Sequence, residues 1–151
     1  MNPEKLRDNI YQLLASQRLA VLSTSDKGQP YASLVAFCFS PDLRTMYFAT
    51  PRATRKYANL MDHPQVSFLV DNRSNKEEDF HQAAAVTVLG RCEEIAEEGK
   101  QNATGPYLER HPYLKEFIEA PTTSYFAVRV KKYIYVSHFQ EVLEYKVRAQ
   151  D

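Results

Sequence analysis

Hydroxyl and cationic side chains are concentrated in residues 50–56, at the junction between a predicted strand and a predicted helix. Thr50 and Thr54 supply hydroxyls, and Arg55 and Lys56 supply positive charge. The first turn of a helix has free backbone N–H groups and carries the positive end of the helix dipole. Cations and hydroxyls added at that point suit the binding of a phosphate group. The segment therefore predicts an anion site.

The same residues also fit a plainer interpretation. Short basic runs are common on solvent-exposed helix faces, and Thr54 could serve only as the N-cap of its helix. Arg52 adds a third cation to the run without deciding between the two interpretations. Residue types and spacing alone thus indicate an anion site without identifying the anion.

The composition is that of a single soluble globular domain over residues 1–151. Lys and Arg total 19, as do Asp and Glu, so no net charge favours nucleic acid or an anionic membrane as a partner. Cys38 and Cys92 form no metal or redox motif, and none of the four histidines has metal-ligand spacing. No apolar stretch is long enough to span a bilayer. We therefore expect a cytoplasmic protein without a metal site.

Strand-like segments dominate the chain. A helix is predicted at residues 1–17, and residues 97–120 predict a helical insert with a break near Gly105. The predicted strands cover residues 19–25, 31–39, 45–50, 65–70, 83–95, 125–130 and 133–137. The first two should form a hairpin with a five-residue loop at residues 26–30. Many short strands joined by short turns favour a mainly β fold, an antiparallel barrel with peripheral helices.

Two local features are predicted within this frame. A short helix over residues 53–61 should direct Tyr57, Leu60 and Met61 to its inner face. Gly90, in the middle of a strand-like segment, indicates a β-bulge or a close approach of another backbone segment.

The run from Tyr47 to Val70 resembles the pyridoxamine-5'-phosphate-oxidase-like family. The family pattern is an aromatic-ended strand, Thr-Asn, a few residues, Ser-Arg-Lys, a short helix ending in Asn-Pro, and a strand with Val-Ser. The counterparts here follow without a gap and are Thr50, Thr54-Arg55-Lys56, His63-Pro64 and Val66-Ser67. The upstream hairpin also resembles the family, in residues 21–24, 28–30 and 32–35.

This resemblance implies a six-stranded antiparallel split barrel that forms a homodimer with FMN at the interface. Arg55 and Lys56 would bind the FMN phosphate, while Thr50 and Thr54 would bind phosphate or ribityl oxygens. The isoalloxazine ring would lie along the second strand of the hairpin. The residues facing it would be Ser33, Leu34, Val35 and Ala36. The resemblance further implies an oxidoreductase acting on a small molecule, since a flavin carries the electrons and the protein positions it.

The sequence departs from the vitamin oxidases of this family at several positions. Ser33 and Cys38 stand where those enzymes carry basic residues, and Ala85 stands where they carry a glutamine. Residues 144–151 lack the Arg-x-His motif that binds the substrate phosphate in the oxidases. We therefore expect an FMN protein other than a true pyridoxamine phosphate oxidase.

Two other functions stay open at this point. The same barrel could bind heme, a deazaflavin or another phosphate-bearing ligand without turnover, and His138, after the last predicted strand, is the candidate heme ligand. A structural or interaction domain that no longer binds a ligand is the third possibility.

Overall fold

The computed structural model describes residues 1–138 and 140–148, so the end of the predicted domain, residues 149–151, lies outside the described part. The first helix, α1 (Pro3–Ser16), begins at the N-cap Asn2, whose side chain accepts a hydrogen bond from the Lys5 amide at 2.8 Å. One face of α1 is buried against the barrel, as its apolar spacing predicts. The buried residues are Leu6, Ile10, Leu13 and Leu14.

Seven antiparallel strands form one sheet. They are β1 (Leu19–Asp26), β2 (Gln29–Phe39), β3 (Thr45–Pro51), β4 (Gln65–Asp71), β5 (Ala85–Glu94), β6 (Thr123–Ser137) and β7 (Glu141–Lys146). Their order in the sheet is β3-β2-β1-β4-β5-β6-β7, and β3 also pairs with β6. This additional pairing closes β1 to β6 into a six-stranded barrel, with β7 attached to β6. The predicted mainly β split barrel with peripheral helices is confirmed.

The last part of the sheet differs from the prediction. β6 is one continuous strand, where the sequence predicted two, because it has partners along both edges: β5 on one, and β3 followed by β7 on the other. β7 itself was not predicted. Its partly buried residues, Leu143 and Tyr145, alternate with exposed Glu144 and Lys146, but no residue of β7 is fully buried and the strand is short.

The β1–β2 hairpin has a two-residue turn, and the predicted five-residue loop is wrong. Asp26 pairs with Gln29, and both Lys27 and Gly28 have positive φ, 50° and 85°. These angles belong to a type I′ turn, whose twist matches that of the two strands. Pro30 suggested a longer loop, but β2 tolerates it because its nitrogen faces the unpaired edge of the strand. The hairpin is therefore longer and stiffer than the sequence indicated.

Helices cover the barrel at one end and on one side. They are α2 (Arg55–Asp62), α3 (Asp79–Gln82), α4 (Glu97–Ala103), α5 (Gly105–Arg110) and α6 (Lys115–Glu119), with a 3-10 turn at Pro112–Leu114. The segment from α4 to α6 corresponds to the predicted helical insert, and the helix breaks at Gly105. A second apolar cluster joins the insert to the outer face of the barrel. It contains Cys38, Ala49, Tyr107, Ile118 and Tyr125.

The barrel interior holds the main apolar core. Phe48 lies at its centre, with its ring stacked on that of Phe126 (centroids 5.1 Å apart) and edge-on to that of Phe68 (5.8 Å). Gly90 lies in the middle of the β5–β6 pairing. The register of the two strands shifts between Leu89 and Gly90. A Cβ atom at Gly90 would lie 2.5 Å from the carbonyl oxygen of Arg129. The close approach predicted at this glycine is present, and the extra residue of the irregularity is Lys131 in β6, opposite Gly90.

We expect Gly90→Ala to lower the free energy of unfolding by about 1–3 kcal/mol, because the carbonyl of Arg129 cannot move aside without disturbing the β5–β6 ladder. Gly99→Ala is the control, since its new methyl group would lie 3.7 Å from Ile95 and α4 would gain helix propensity. Urea denaturation of the two variants and the wild type measures the difference. A Gly90→Ala variant as stable as the wild type would contradict the close approach.

Candidate functional site

Helix α2 follows β3 directly and packs over one end of the barrel against β1 and β3. Thr54 is its N-cap: the hydroxyl oxygen accepts a hydrogen bond from the Tyr57 amide (3.2 Å) and donates to the Pro51 carbonyl (2.9 Å). Thr50 is fully buried, and its hydroxyl oxygen lies 3.1 Å from that of Thr54. The two hydroxyls therefore hold the turn at which α2 starts.

The first turn of α2 has free hydrogen-bond donors. The backbone N–H groups of Arg55 and Lys56 have no acceptor within the helix, and none of the described residues outside it accepts from them. Lys56 is partly exposed and forms no ion pair within the described part of the chain. The Arg55 side chain is 63% exposed, and its Nη1 lies 3.7 Å from Oδ2 of Asp26 at the hairpin tip. Two amides and two cations thus lie together at the positive end of the helix dipole.

Arg52 does not join this group. Its guanidinium donates to the Pro121 carbonyl (2.8 Å) and lies 3.6 Å from the Glu97 carboxylate, while its amide donates to the Thr122 carbonyl (3.0 Å). Arg52 therefore fastens the β3–α2 turn to the helical insert. Of the three cations in the sequence run, Arg55 and Lys56 are the two that are not bound to the helical insert.

A buried polar pair ties α2 to β1. Asn59 Nδ2 donates to Thr24 Oγ1 at 3.0 Å, and both residues are buried. Further along the barrel end, the Tyr57 hydroxyl donates to the Glu94 carboxylate of β5 at 3.1 Å. Burial and the neighbouring Glu94 carboxylate raise the pKa of Tyr57, so the phenol stays protonated and keeps donating. These contacts fix the rotation of α2 and hence the direction of its first turn.

The residues on the inner face of α2 differ in part from those predicted from the sequence. Leu60 is buried as predicted, but Met61 is exposed and Asn59 takes a buried place. Apolar periodicity overlooks Asn59 because an amide is not counted as a core residue. Its occurrence within a short helix is nevertheless a signal, since asparagine is a poor helix former and a buried amide needs a polar partner.

The predicted ring-facing strand, β2, has an open edge. β2 pairs with β1 up to residue 36 but with β3 only over residues 37–39. In an antiparallel hairpin closed by the Asp26–Gln29 pair, alternate residues turn their backbone groups toward the partner strand. Leu34 therefore turns its amide and carbonyl groups toward the open edge, and Ala36 turns its amide there. The Ala36 carbonyl lies opposite the Ala49 amide at the start of the β2–β3 ladder. Unpaired backbone donors and acceptors of this kind can bind the polar edge of a planar ligand.

β2 and β3 separate where the predicted site begins. Extending their register beyond the Phe37–Phe48 pair would place Val35 opposite Thr50. At that position, however, β3 pairs only with β6 among the described strands. The split of the barrel is this gap between the open edge of β2 and the β3–α2 turn. The fold thus brings the predicted phosphate and ring residues to the two sides of one gap.

The side chains predicted to contact the ligand differ in accessibility. Leu34 is 66% exposed and Ala36 is partly exposed, whereas Val35 is buried in the barrel core. The Ser33 hydroxyl oxygen is buried and has no hydrogen-bond partner among the described residues. The side chains of Val35 and Thr50 are both buried in the protein interior. They therefore cannot contact a ligand directly in this structure.

Two of the family departures can also be located. Cys38 lies under the helical insert with its sulfur 3.6 Å from the Tyr125 hydroxyl, and burial raises the pKa of its thiol. It is therefore uncharged where the vitamin oxidases carry a cation. Ala85 is the first residue of β5 and offers no side-chain hydrogen bond.

A family model described as pyridoxamine 5'-phosphate oxidase matches residues 6–137. The chain belongs to the pyridoxamine 5'-phosphate oxidase-like family. Both sides of the gap, the open edge of β2 and the first turn of α2, lie within the matched residues. No curated protein matches the chain in sequence.

Solved structures with the same fold have low sequence identity to this family member. A heme binding protein from Mycobacterium smegmatis is 19% identical, with a TM-score of 0.80 over 93% of this chain and 57% of that one. An FAD-binding protein from Mesorhizobium loti is 20% identical, with a TM-score of 0.67 over 84% and 89%. A Clostridium acetobutylicum protein related to general stress protein 26 is 17% identical, with a TM-score of 0.74 over 95% and 96%. These similarities show the fold.

Residues 1–138 and 140–148 contain neither a membrane-spanning helix nor a cluster of metal ligands. No helix in these ranges combines the length and the apolar character needed to cross a bilayer. Nor do three or more His, Cys, Asp or Glu side chains of these ranges come together as a metal site.

Removing the Thr24–Asn59 hydrogen bond should destabilise the protein. Asn59→Ala leaves the buried Thr24 hydroxyl without its donor and should lower the free energy of unfolding by about 1–3 kcal/mol. Thr24→Val removes the acceptor with little change of shape, so the double variant should lose less than the sum of the single losses. Chemical denaturation of the four proteins measures this coupling, and additive losses would contradict a direct bond.

Proposed function

We propose that this chain is an FMN-binding flavoprotein that oxidises or reduces a small organic molecule. The observation that carries the proposal is the set of donors on the first turn of α2, two free backbone amides and two cationic side chains, beside the open edge of β2. Arg55 offers a planar fork of N–H donors and Lys56 a point charge, a combination suited to a phosphate monoester. The backbone amides of the same two residues add two further donors.

The ring of the flavin would lie along the open edge of β2. The amide and carbonyl of Leu34 and the amide of Ala36 would bind donors and acceptors along the polar edge of an isoalloxazine. When bound, FMN supplies the redox chemistry, and the residues of the chain hold and orient it.

The substrate is expected to differ from that of the vitamin oxidases. Ser33, Cys38 and Ala85 replace polar or basic groups of those enzymes, and Cys38 is buried and uncharged. β7, which pairs along β6, contains no Arg-x-His sequence. We infer a small-molecule substrate other than the one that those enzymes oxidise.

A homodimer with the cofactor at its interface is part of the proposal. The Leu19–Ala36 and Val21–Leu34 pairs place apolar side chains on the outer face of the β1–β2 hairpin, where Leu19 and Leu34 are 53% and 66% exposed. Exposed apolar side chains grouped on one face are typical of an interface. A second copy seated there would cover this face and close the gap beside β2.

The cytoplasm is the compartment that we propose. Cys38 and Cys92 are both free and buried, and reduced thiols of this kind suit a reducing environment. Neither nucleic acid nor a membrane surface is a proposed partner, since the chain has no net charge.

Arg55→Ala and Lys56→Ala should each weaken FMN binding about ten- to a hundredfold, because each removes a charge-assisted contact to the phosphate. Lys115→Ala is the control, since Lys115 is similarly exposed and pairs with Glu119 on the helical insert, 3.4 Å away. Titration of FMN fluorescence measures the affinities. Unchanged affinity in both site variants, or no micromolar binding by the wild type, would contradict the proposal.

Heme is the second candidate ligand, because a protein of the same fold is described as heme binding and His138 is exposed in the β6–β7 turn. A deazaflavin with a phosphate would use the same residues as FMN. Thermal stability measured with each ligand separates heme from a flavin. Stabilisation by heme and none by FMN would count against the first proposal.

Leu34→Glu should convert the dimer to a monomer, since a carboxylate cannot be buried in an apolar interface without a partner. Val142→Glu is the control, because Val142 is comparably exposed on β7. Light scattering after size-exclusion chromatography measures the mass of each variant. A Leu34→Glu protein that keeps the wild-type dimer mass, or a wild type that is monomeric, would contradict this interface.

A further inference from the structure

We propose that Asp26 competes with the ligand phosphate for Arg55 and thereby limits how tightly the chain holds a phosphate-bearing ligand. The inference rests on the proposed function, since it concerns the same anion site. Oδ2 of Asp26 lies 3.7 Å from Nη1 of Arg55. A carboxylate and a phosphate bind the same guanidinium N–H donors. Asp26 therefore lies within ion-pair distance of a guanidinium nitrogen that the phosphate would bind.

The fold holds Asp26 beside the start of α2. Asp26 is the last residue of β1 and pairs with Gln29 across the two-residue turn, so its backbone is held beside α2 while its side chain can rotate away. Side chains two residues apart on a strand point to the same face, and Thr24 points to α2, where Asn59 binds it. The same strand and the same helix that form the buried Thr24–Asn59 bond thus place the Asp26 carboxylate next to Arg55.

Asp26 changes the charge that an incoming phosphate meets. Arg55 and Lys56 contribute two positive charges, and Asp26 is the only carboxylate of the described residues in an ion pair with either of them. A phosphate monoester carries between one and two negative charges near neutral pH. Asp26 thus both occupies Arg55 and repels the ligand. The side chains of Asp26 and Arg55 are 41% and 63% exposed, so solvent and salt keep the effect moderate.

The same carboxylate stabilises the empty site. Without Asp26, two positive side chains would lie at the positive end of the helix dipole, and no negative charge would compensate them. With it, the ligand-free site is partly neutralised, and bound ligand leaves more readily because Asp26 returns to Arg55. We infer that this chain is adapted to exchange its phosphate-bearing ligand more readily than the two cations alone would allow.

The test compares Asp26→Asn with Asp62→Asn. Asp62 is the exposed last residue of α2, so its substitution makes the same change of net charge on the same helix away from the first turn. FMN and inorganic phosphate are titrated into both variants and the wild type at low ionic strength. We expect Asp26→Asn to bind both about three- to tenfold more tightly than the wild type, with the gain shrinking as salt is added. Asp62→Asn should bind like the wild type.

The outcomes distinguish this inference from the proposed function. If the wild type binds FMN and Asp26→Asn binds it no more tightly, the competition is overturned and the FMN proposal stands. If the wild type binds no FMN but Asp26→Asn binds inorganic phosphate more tightly than Asp62→Asn does, the FMN proposal fails and the competition at Arg55 stands. If no variant binds either ligand, or if Asp62→Asn gains as much affinity as Asp26→Asn, the inference is overturned.

Discussion

The first turn of helix α2 has to stay accessible while the rest of the helix is packed against the barrel. Thr54 caps a single amide of that turn, and those of Arg55 and Lys56 are left free. The buried bond from Asn59 to Thr24 fixes the rotation of the helix on its other side. If the helix turned about its axis, the side chains of Arg55 and Lys56 would move away from their present positions beside the hairpin tip and the gap. Anion binding by this chain therefore depends on how α2 is anchored.

The split of the barrel depends on the same junction. β3 leaves β2 after a short pairing and continues along β6, and then its chain turns into α2. Because of this separation, the edge of β2 before residue 37 has no paired strand, and its backbone donors and acceptors are exposed next to the start of α2. Arg52 secures the turn from the opposite side through the helical insert. Ligand binding at the gap would satisfy backbone groups that the barrel leaves unpaired, which is how this fold can favour a planar, phosphate-bearing ligand.

Much of the fold and part of the site could be predicted from the sequence. Alternating apolar residues and turn residues gave most strands, and the run of residues 50–56 was recognisable because Thr54 and two cations follow a strand end. The contributions of Asn59 and Asp26 could not be predicted. Asn59 is polar and Asp26 was assigned to a five-residue loop, and only the folded hairpin brings Asp26 to α2. The burial of Thr50 also depends on tertiary packing, since a hydroxyl at a strand end is equally consistent with exposure.

The central claim is that the first turn of α2 holds the phosphate of a flavin nucleotide. The most direct test compares the affinities of the unmodified protein for FMN and for riboflavin, which has the same ring and ribityl chain without the phosphate. Contacts from Arg55, Lys56 and two backbone amides to the phosphate predict that FMN binds more tightly by at least about tenfold. Equal affinities would contradict the claim, because the phosphate would then contribute nothing to binding.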